Sequence, residues 1–143
     1  MRLWDNPEIH REEKMKNILI VDDEVKIREF VGLYFRADGF RVFESQDGEE
    51  ALQIFRSQPI DLIILDILMP GIDGFEVCRT IRSCSDVPIL ILTALTEDYQ
   101  SLRGYELGAD DYVSKLVSPK IILAKAKRIL ERQQPAGSYI NLD

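Results

Sequence analysis

Asp61-Leu62-Ile63-Ile64-Leu65-Asp66-Ile67-Leu68-Met69-Pro70-Gly71 is the stretch that decides the fold. Four branched apolar residues, Leu62–Leu65, stand between two acids. The run is strand-sized and lacks polar alternation, which predicts a strand buried on both faces and hence central in a sheet. Ile67 to Gly71 reads as the loop that follows. Three further runs repeat the pattern. Ile18-Leu19-Ile20-Val21 ends in Asp22-Asp23-Glu24, Ile89–Leu92 ends in Thr93, and Asp111–Val113 is a short strand ahead of Lys115. Parallel strands bring their C-terminal ends to one edge, where open α/β sheets bind ligands.

Helical periods fill the gaps. Ile27, Phe30, Val31 and Tyr34 recur at helical spacing and predict an inward face. Asp38-Gly39 ends that helix, with Gly39 in the left-handed position past its last turn. Phe40–Phe43 reads as a strand. Asp47 or Gly48 starts a second helix, with Ala51, Leu52 and Phe55 inward, that stops before Pro59. Gly74–Arg82 and Thr96–Leu107 read as helices. Ser118-Pro119 reads as a cap and first position of a last helix reaching about Arg132. The expectation is an α/β fold: a doubly wound, five-stranded parallel sheet with five helices and right-handed crossovers.

The chain has 143 residues, 45% apolar and 30% charged, and a net charge of −7. That length holds one domain with a full core. Residues 1–16 are expected to be a poorly ordered N-terminal extension, 17–132 the domain, and 133–143 a linker with the start of a further domain. The acidic balance argues against nucleic-acid binding by this segment. The apolar runs are too short for a membrane span, and no apolar signal segment opens the chain, so the cytoplasm is the expected compartment. Cys78 and Cys84 form no metal or disulfide pattern and are expected as free thiols.

The strand ends carry the chemistry. With the first and third strands adjacent, Asp22, Asp23 and Asp66 lie close together. Like charges at that range raise each other's pKa and oppose folding. A hard divalent cation such as Mg²⁺, which takes oxygen ligands, relieves the conflict. A plainer reading has Asp22 or Asp23 capping the helix that begins near Val25. A phosphoryl group on Asp66 would carry nearly two negative charges and would need a cation on the side away from the metal, which Lys115 can supply; Thr93 can donate a hydroxyl hydrogen bond. Taken singly, Thr93 is also an ordinary strand residue and Lys115 an ordinary surface charge.

Four segments together resemble a receiver domain of two-component response regulators, the CheY-like, flavodoxin-like fold. They are Ile18-Leu19-Ile20-Val21-Asp22-Asp23-Glu24, Asp61 to Asp66 with Met69-Pro70-Gly71-Ile72-Asp73-Gly74, Pro88-Ile89-Leu90-Ile91-Leu92-Thr93-Ala94, and Gly108-Ala109-Asp110-Asp111-Tyr112-Val113-Ser114-Lys115. The resemblance implies that Asp66 is a phosphoacceptor and that Asp23 and Asp66 ligate Mg²⁺ directly. Asp22 would act largely through water, and the Leu68 backbone carbonyl would complete the shell. Thr93 and Lys115 would hold phosphoryl oxygens, and Tyr112 would be the switch aromatic. A histidine kinase would be the donor, and the protein a phosphoacceptor that assists its own reactions rather than an enzyme.

Leu123 to Arg132 resembles the winged-helix, OmpR/PhoB-like subfamily. That implies a homodimer on phosphorylation, transcriptional control, and DNA contact only through a C-terminal domain outside these residues. Arg103, Asp110, Asp111 and Lys125 would lie on the dimer surface, formed by the helix Thr96–Leu107, the short strand and the last helix. Ile121 stands where the subfamily usually has glutamate.

One departure stands out. The family usually has proline, joined by a cis bond, where this chain has Leu116. A cis bond to a non-proline costs about 2.5–4 kcal/mol. The expectation is therefore a trans bond, a rearranged loop and a displaced Lys115 ammonium. Leu116 leaves a phosphorylation-independent interaction module as a competing reading; a separate one is a phosphatase with an aspartyl nucleophile. Such phosphatases typically add an acid two residues on, where this chain has Leu68.

Overall fold

A computed structural model describes residues 15–94 and 108–132. Five strands alternate with helices: β1 (Asn17–Val21), α1 (Val25–Ala37), β2 (Arg41–Ser45), α2 (Gly48–Ser57), β3 (Leu62–Leu65), α3 (Gly74–Arg82), β4 (Ile89–Thr93), β5 (Asp111–Ser114) and α4 (Pro119–Arg132). All strand pairs are parallel, in the order β2-β1-β3-β4-β5. Leu62–Leu65 is thus the central strand. Four helices lie among the described residues; the expected helix Thr96–Leu107 lies outside them, as do Arg103, most of the 1–16 extension and 133–143.

The two-faced burial of the strands splits the core by residue parity. Leu19, Val21, Ile63, Leu65, Ile89 and Ile91 face α2 and α3, meeting Ala51, Leu52, Phe75, Val77, Cys78 and Ile81. Ile18, Ile20, Leu62, Ile64, Leu90 and Leu92 face the other way, onto Val31 and Phe35 of α1 and Ile122, Ala126 and Ile129 of α4. Alternate side chains point to opposite faces, so a strand with helices on both sides must be apolar throughout. Each such side chain contributes about 1.5–3 kcal/mol on burial.

The inward face of α1 differs from the expected one. Val31 and Phe35 are buried, whereas Phe30 is 55% exposed. It stacks on Tyr34 with ring centroids 5.8 Å apart and walls a cleft beside Lys115, Val117 and Pro119. The seam follows the i, i+4 row through Ile27, Val31 and Phe35, and Phe30 falls off its edge. β2 is also shifted, to Arg41–Ser45.

Local signals set the helix ends. Asp47 Oδ1 accepts from the Glu50 N–H at 2.8 Å, Asp73 Oδ1 from the Glu76 N–H at 2.9 Å, and Ser118 Oγ from the Lys120 N–H at 3.1 Å. These satisfy donors that a helix start leaves unpaired. Gly39 takes φ +94°, the left-handed position expected of it. Neither Asp22 nor Asp23 caps α1. Its N-cap residue is Glu24, without a side-chain cap bond, so the capping reading of those acids does not hold.

Candidate acidic phosphoacceptor site

The site is a continuation of the sheet. Asp66 N–H donates to Val21 O at 2.9 Å, Asp22 N–H to Ser45 O at 3.0 Å, and Lys115 N–H to Thr93 O at 2.8 Å. Each ladder therefore runs one residue past its strand and fixes the backbone of a site residue. Thr93, the last residue of β4, is fully buried opposite Ser114 of β5.

The two inner acids are held alike. Asp22 Oδ1 accepts from the Glu24 N–H at 2.9 Å, and Asp66 Oδ1 from the Leu68 N–H at 3.0 Å. Both are carboxylate-to-backbone turns two residues long, a habit of aspartate. With Oδ1 fixed, Oδ2 of each acid faces the lysine. Lys115 Nζ lies 2.8 Å from Asp22 Oδ2 and 3.0 Å from Asp66 Oδ2. Both acids are only 1% exposed, and the lysine side chain 9%. Asp22 Oδ2 is buried without an aligned hydrogen bond, so its approach to Lys115 is a charge contact.

Asp23 is exposed at the rim, yet one carboxylate oxygen from each of Asp22, Asp23 and Asp66 falls within 4.8 Å of the others. Burial raises the carboxyl pKa of Asp22 despite the Lys115 ammonium and the Glu24 amide. Burial likewise raises that of Asp66, aided by the Asp23 charge and opposed by the Leu68 amide and Lys115. Burial alone would lower the lysine, but the two carboxylates together outweigh it and hold the ammonium above its usual range. Three hard oxygen donors, two of them desolvated and one under-bonded, fit Mg²⁺.

The bond from Lys115 to Leu116 is trans, as is every peptide bond among the described residues. The expected displacement of the ammonium, however, does not occur. The lysine backbone is tied to β4 by its N–H to Thr93 O at 2.8 Å, and its side chain reaches the acids. Leu116 points outward, 86% exposed.

Several contributors were not evident in the sequence. Arg28 donates to Asp22 O at 2.6 Å and pairs with Glu44 at 3.3 Å. Glu24 approaches Lys115 Nζ at 3.8 Å. Gly74 packs so tightly under the site loop that a Cβ there would lie 2.3 Å from Asp66 O and 2.4 Å from Ile67 Cα. Its place in Gly71-Ile72-Asp73-Gly74 was the available signal. Glu24 stands in the acidic run after β1, whereas Arg28 had no signal, since its partners are set by three-dimensional packing.

Of the expected dimer surface, Asp110 is engaged within the chain. Its Oδ2 accepts from Arg82 at 3.0 Å and from the Ile89 N–H at 2.7 Å. Asp111 pairs with Lys125 at 3.1 Å. Tyr112, half-buried on β5, packs against the α2–α3 side of the core. Cys78 is buried and Cys84 exposed, and neither is in a disulfide; burial raises the Cys78 thiol.

These features define a class: a doubly wound α/β protein whose strand ends bring three carboxylates and a buried lysine together. The family model for the response regulator receiver domain matches residues 18–127, and the chain belongs to that family. It is 46% identical over 125 residues to the "Probable transcriptional regulator ycf27" of Guillardia theta, covering 87% of this chain and 49% of that protein. It is 41% identical over 128 residues to the "Transcriptional regulatory protein BaeR" of Escherichia coli O6:H1, covering 90% and 53%. Among solved structures, "Response Regulator DrrB, a Thermotoga maritima OmpR/PhoB Homolog" superposes with a TM-score of 0.77 at 36% identity, covering 84% of this chain and 54% of that one. The chain is thus a receiver domain of a two-component response regulator with OmpR/PhoB-type homologues, and it spans about half the length of the curated relatives it matches. Receiver domains typically bind Mg²⁺ at an acidic pocket, and the aspartate cluster is the matching feature here. No helix among the described residues is long and apolar enough to cross a membrane.

Proposed function

We propose that this chain is a phosphorylation-activated switch whose acceptor is Asp66. The observation that carries the reading is the Lys115 ammonium bridging Asp22 and Asp66 at 2.8 and 3.0 Å. A desolvated carboxylate beside a fixed cation is a nucleophile with charge compensation already in place. The donor is the phosphohistidine of a histidine kinase or a small acyl phosphate. An Asp66 oxygen attacks phosphorus, the bond from phosphorus to the leaving imidazole or acyl oxygen breaks, and an acyl phosphate forms on Asp66. Lys115 holds its ammonium against the transferred oxygens, and Thr93, at the end of the adjacent strand, supplies a hydroxyl donor. Asp23 and Asp66, with Asp22 through water and the Leu68 carbonyl, would hold Mg²⁺. Bound there, Mg²⁺ neutralises charge on the phosphoryl oxygens.

In this reading the chain is not an enzyme with turnover but a substrate that assists its own modification. Thr93 is drawn toward the phosphoryl group, Tyr112 moves inward, and the surface of β5 and α4 changes. That surface then pairs two copies, and DNA is contacted by a domain outside these residues, as the lengths of the regulator relatives support. The position of Lys115 favours this reading over a phosphorylation-independent module. Incubation with acetyl phosphate and Mg²⁺, followed by intact mass, tests it. One phosphoryl group should be gained by the wild type and not by Asp66→Asn; no gain by the wild type would leave the interaction module standing.

A further inference from the structure

We infer that Ser114 is a positioning residue for Lys115, and that it does the work a proline after the lysine would otherwise do. The inference rests on the reading of Asp66 as phosphoacceptor. Replacing an imino acid by Leu116 adds a backbone N–H to the loop, and that group has a partner: Leu116 N–H donates to Ser114 Oγ at 3.1 Å. One residue on, Val117 N–H donates to Ser114 O at 3.2 Å, closing a four-residue turn. The hydroxyl and carbonyl of one serine thus bind two successive amides, a serine turn laid over a β-turn.

The turn matters because of what it encloses. Lys115 is tied on its N-terminal side by its N–H to Thr93 O at 2.8 Å. On its C-terminal side the next side chain, Leu116, is 86% exposed and anchors nothing. Packing resumes only at Val117, which sits against the α1–α4 side of the core. Between the ladder and Val117 the trans backbone is held by the Ser114 bonds. They fix the direction in which the Lys115 side chain leaves, and with it the reach of Nζ to Asp22 and Asp66. Without the hydroxyl, Leu116 N–H turns to water and the loop samples other conformers, lowering the fraction of chains with the ammonium in place.

A double-mutant cycle tests this. Ser114→Ala, Ser114→Thr, Leu116→Pro and the pair Ser114→Ala/Leu116→Pro are compared by initial rate of phosphorylation from acetyl phosphate. Amide hydrogen exchange at Leu116 is measured in the variants that keep that N–H. Ser114→Ala should slow phosphorylation by about threefold to tenfold, the population one hydrogen bond of this kind sustains, and deprotect the Leu116 amide. Ser114→Thr, which restores the hydroxyl, should stay within about twofold of wild type. In the Leu116→Pro background, where the N–H is gone, Ser114→Ala should change the rate by less than about twofold. The inference is overturned if Ser114→Ala phosphorylates at the wild-type rate, or slows the reaction equally in both backgrounds. If the wild type takes no phosphoryl group, the acceptor reading fails instead. The Leu116 amide then decides for the turn alone: protection in Ser114→Ala equal to wild type overturns it.

Discussion

Replacing Lys115 by methionine tests the electrostatic core of the site. Methionine keeps most of the length and volume of the stem and removes the ammonium. Two carboxylates, each 1% exposed, then lose the cation that stands 2.8 and 3.0 Å from their Oδ2 atoms. Removing one partner of a buried ion pair costs about 3–5 kcal/mol at neutral pH. For a domain of this size a loss of that order lowers Tm by roughly 10–20 °C. The pH dependence has a definite sign. Burial already raises the pKa of Asp22 and Asp66, and loss of Lys115 raises both further. The folded variant then binds more protons than its unfolded chain across the window between the two sets of pKa values. Its stability must therefore rise as pH falls, and the gap from wild type must narrow. Lys115 itself, with a raised pKa, contributes fully at neutral pH and loses its contribution only above the ordinary lysine range. Thermal unfolding of both proteins at pH 7.5 and pH 5.5, without metal, reads this directly. A variant as stable as wild type at pH 7.5, or one whose deficit does not shrink on acidification, would refute the argument that Lys115 neutralises buried charge.

Gly74→Ala should lower stability by about 3 kcal/mol and slow phosphorylation, because the atoms its Cβ would strike are all backbone and the Asp66 loop must shift; an unchanged urea midpoint would count against the close packing. Asp23→Ala should slightly raise metal-free Tm by easing repulsion with Asp66, and should remove the stabilisation by Mg²⁺, which in wild type reaches roughly 2.7 kcal/mol at a hundredfold excess over Kd. Calorimetry with and without Mg²⁺ checks both halves. Arg82→Met should cost about 2–3 kcal/mol, since Arg82 donates to Gly108 O at 2.8 Å, Val87 O at 2.6 Å and Asp110 Oδ2 at 3.0 Å. A loss confined to a few tenths of a kcal/mol would show those contacts to be solvated.

The fold was legible because its signals are local. The unbroken apolar run Leu62–Leu65 announces a central parallel strand, and the runs at Ile18 and Ile89 announce its neighbours. Caps at Asp47, Asp73 and Ser118 lie beside the helices they start. The placement of the acids, Thr93 and Lys115 was legible because each closes such a strand or follows it within two residues. Legibility failed where partners are distant. Phe30 satisfies helical periodicity but lies off the seam, which the packing of α1 on the sheet and α4 defines. Arg28 reaches Asp22 by the pitch of α1. Leu116 does not displace the lysine because Lys115 is held on both sides, by its ladder bond to Thr93 and by the Ser114 turn that takes up the Leu116 N–H. Asp110 looked like a surface charge, yet Arg82, 28 residues away, draws it inward.

The most direct test of the central claim is to locate the phosphoryl group. Wild-type protein treated with acetyl phosphate and Mg²⁺ is reduced with borohydride, which converts an aspartyl phosphate to homoserine, and is then mapped by peptide mass spectrometry. The account predicts conversion at Asp66, with none at Asp22 or Asp23. Conversion at another acid, or none in protein that has gained a phosphoryl group, would contradict it.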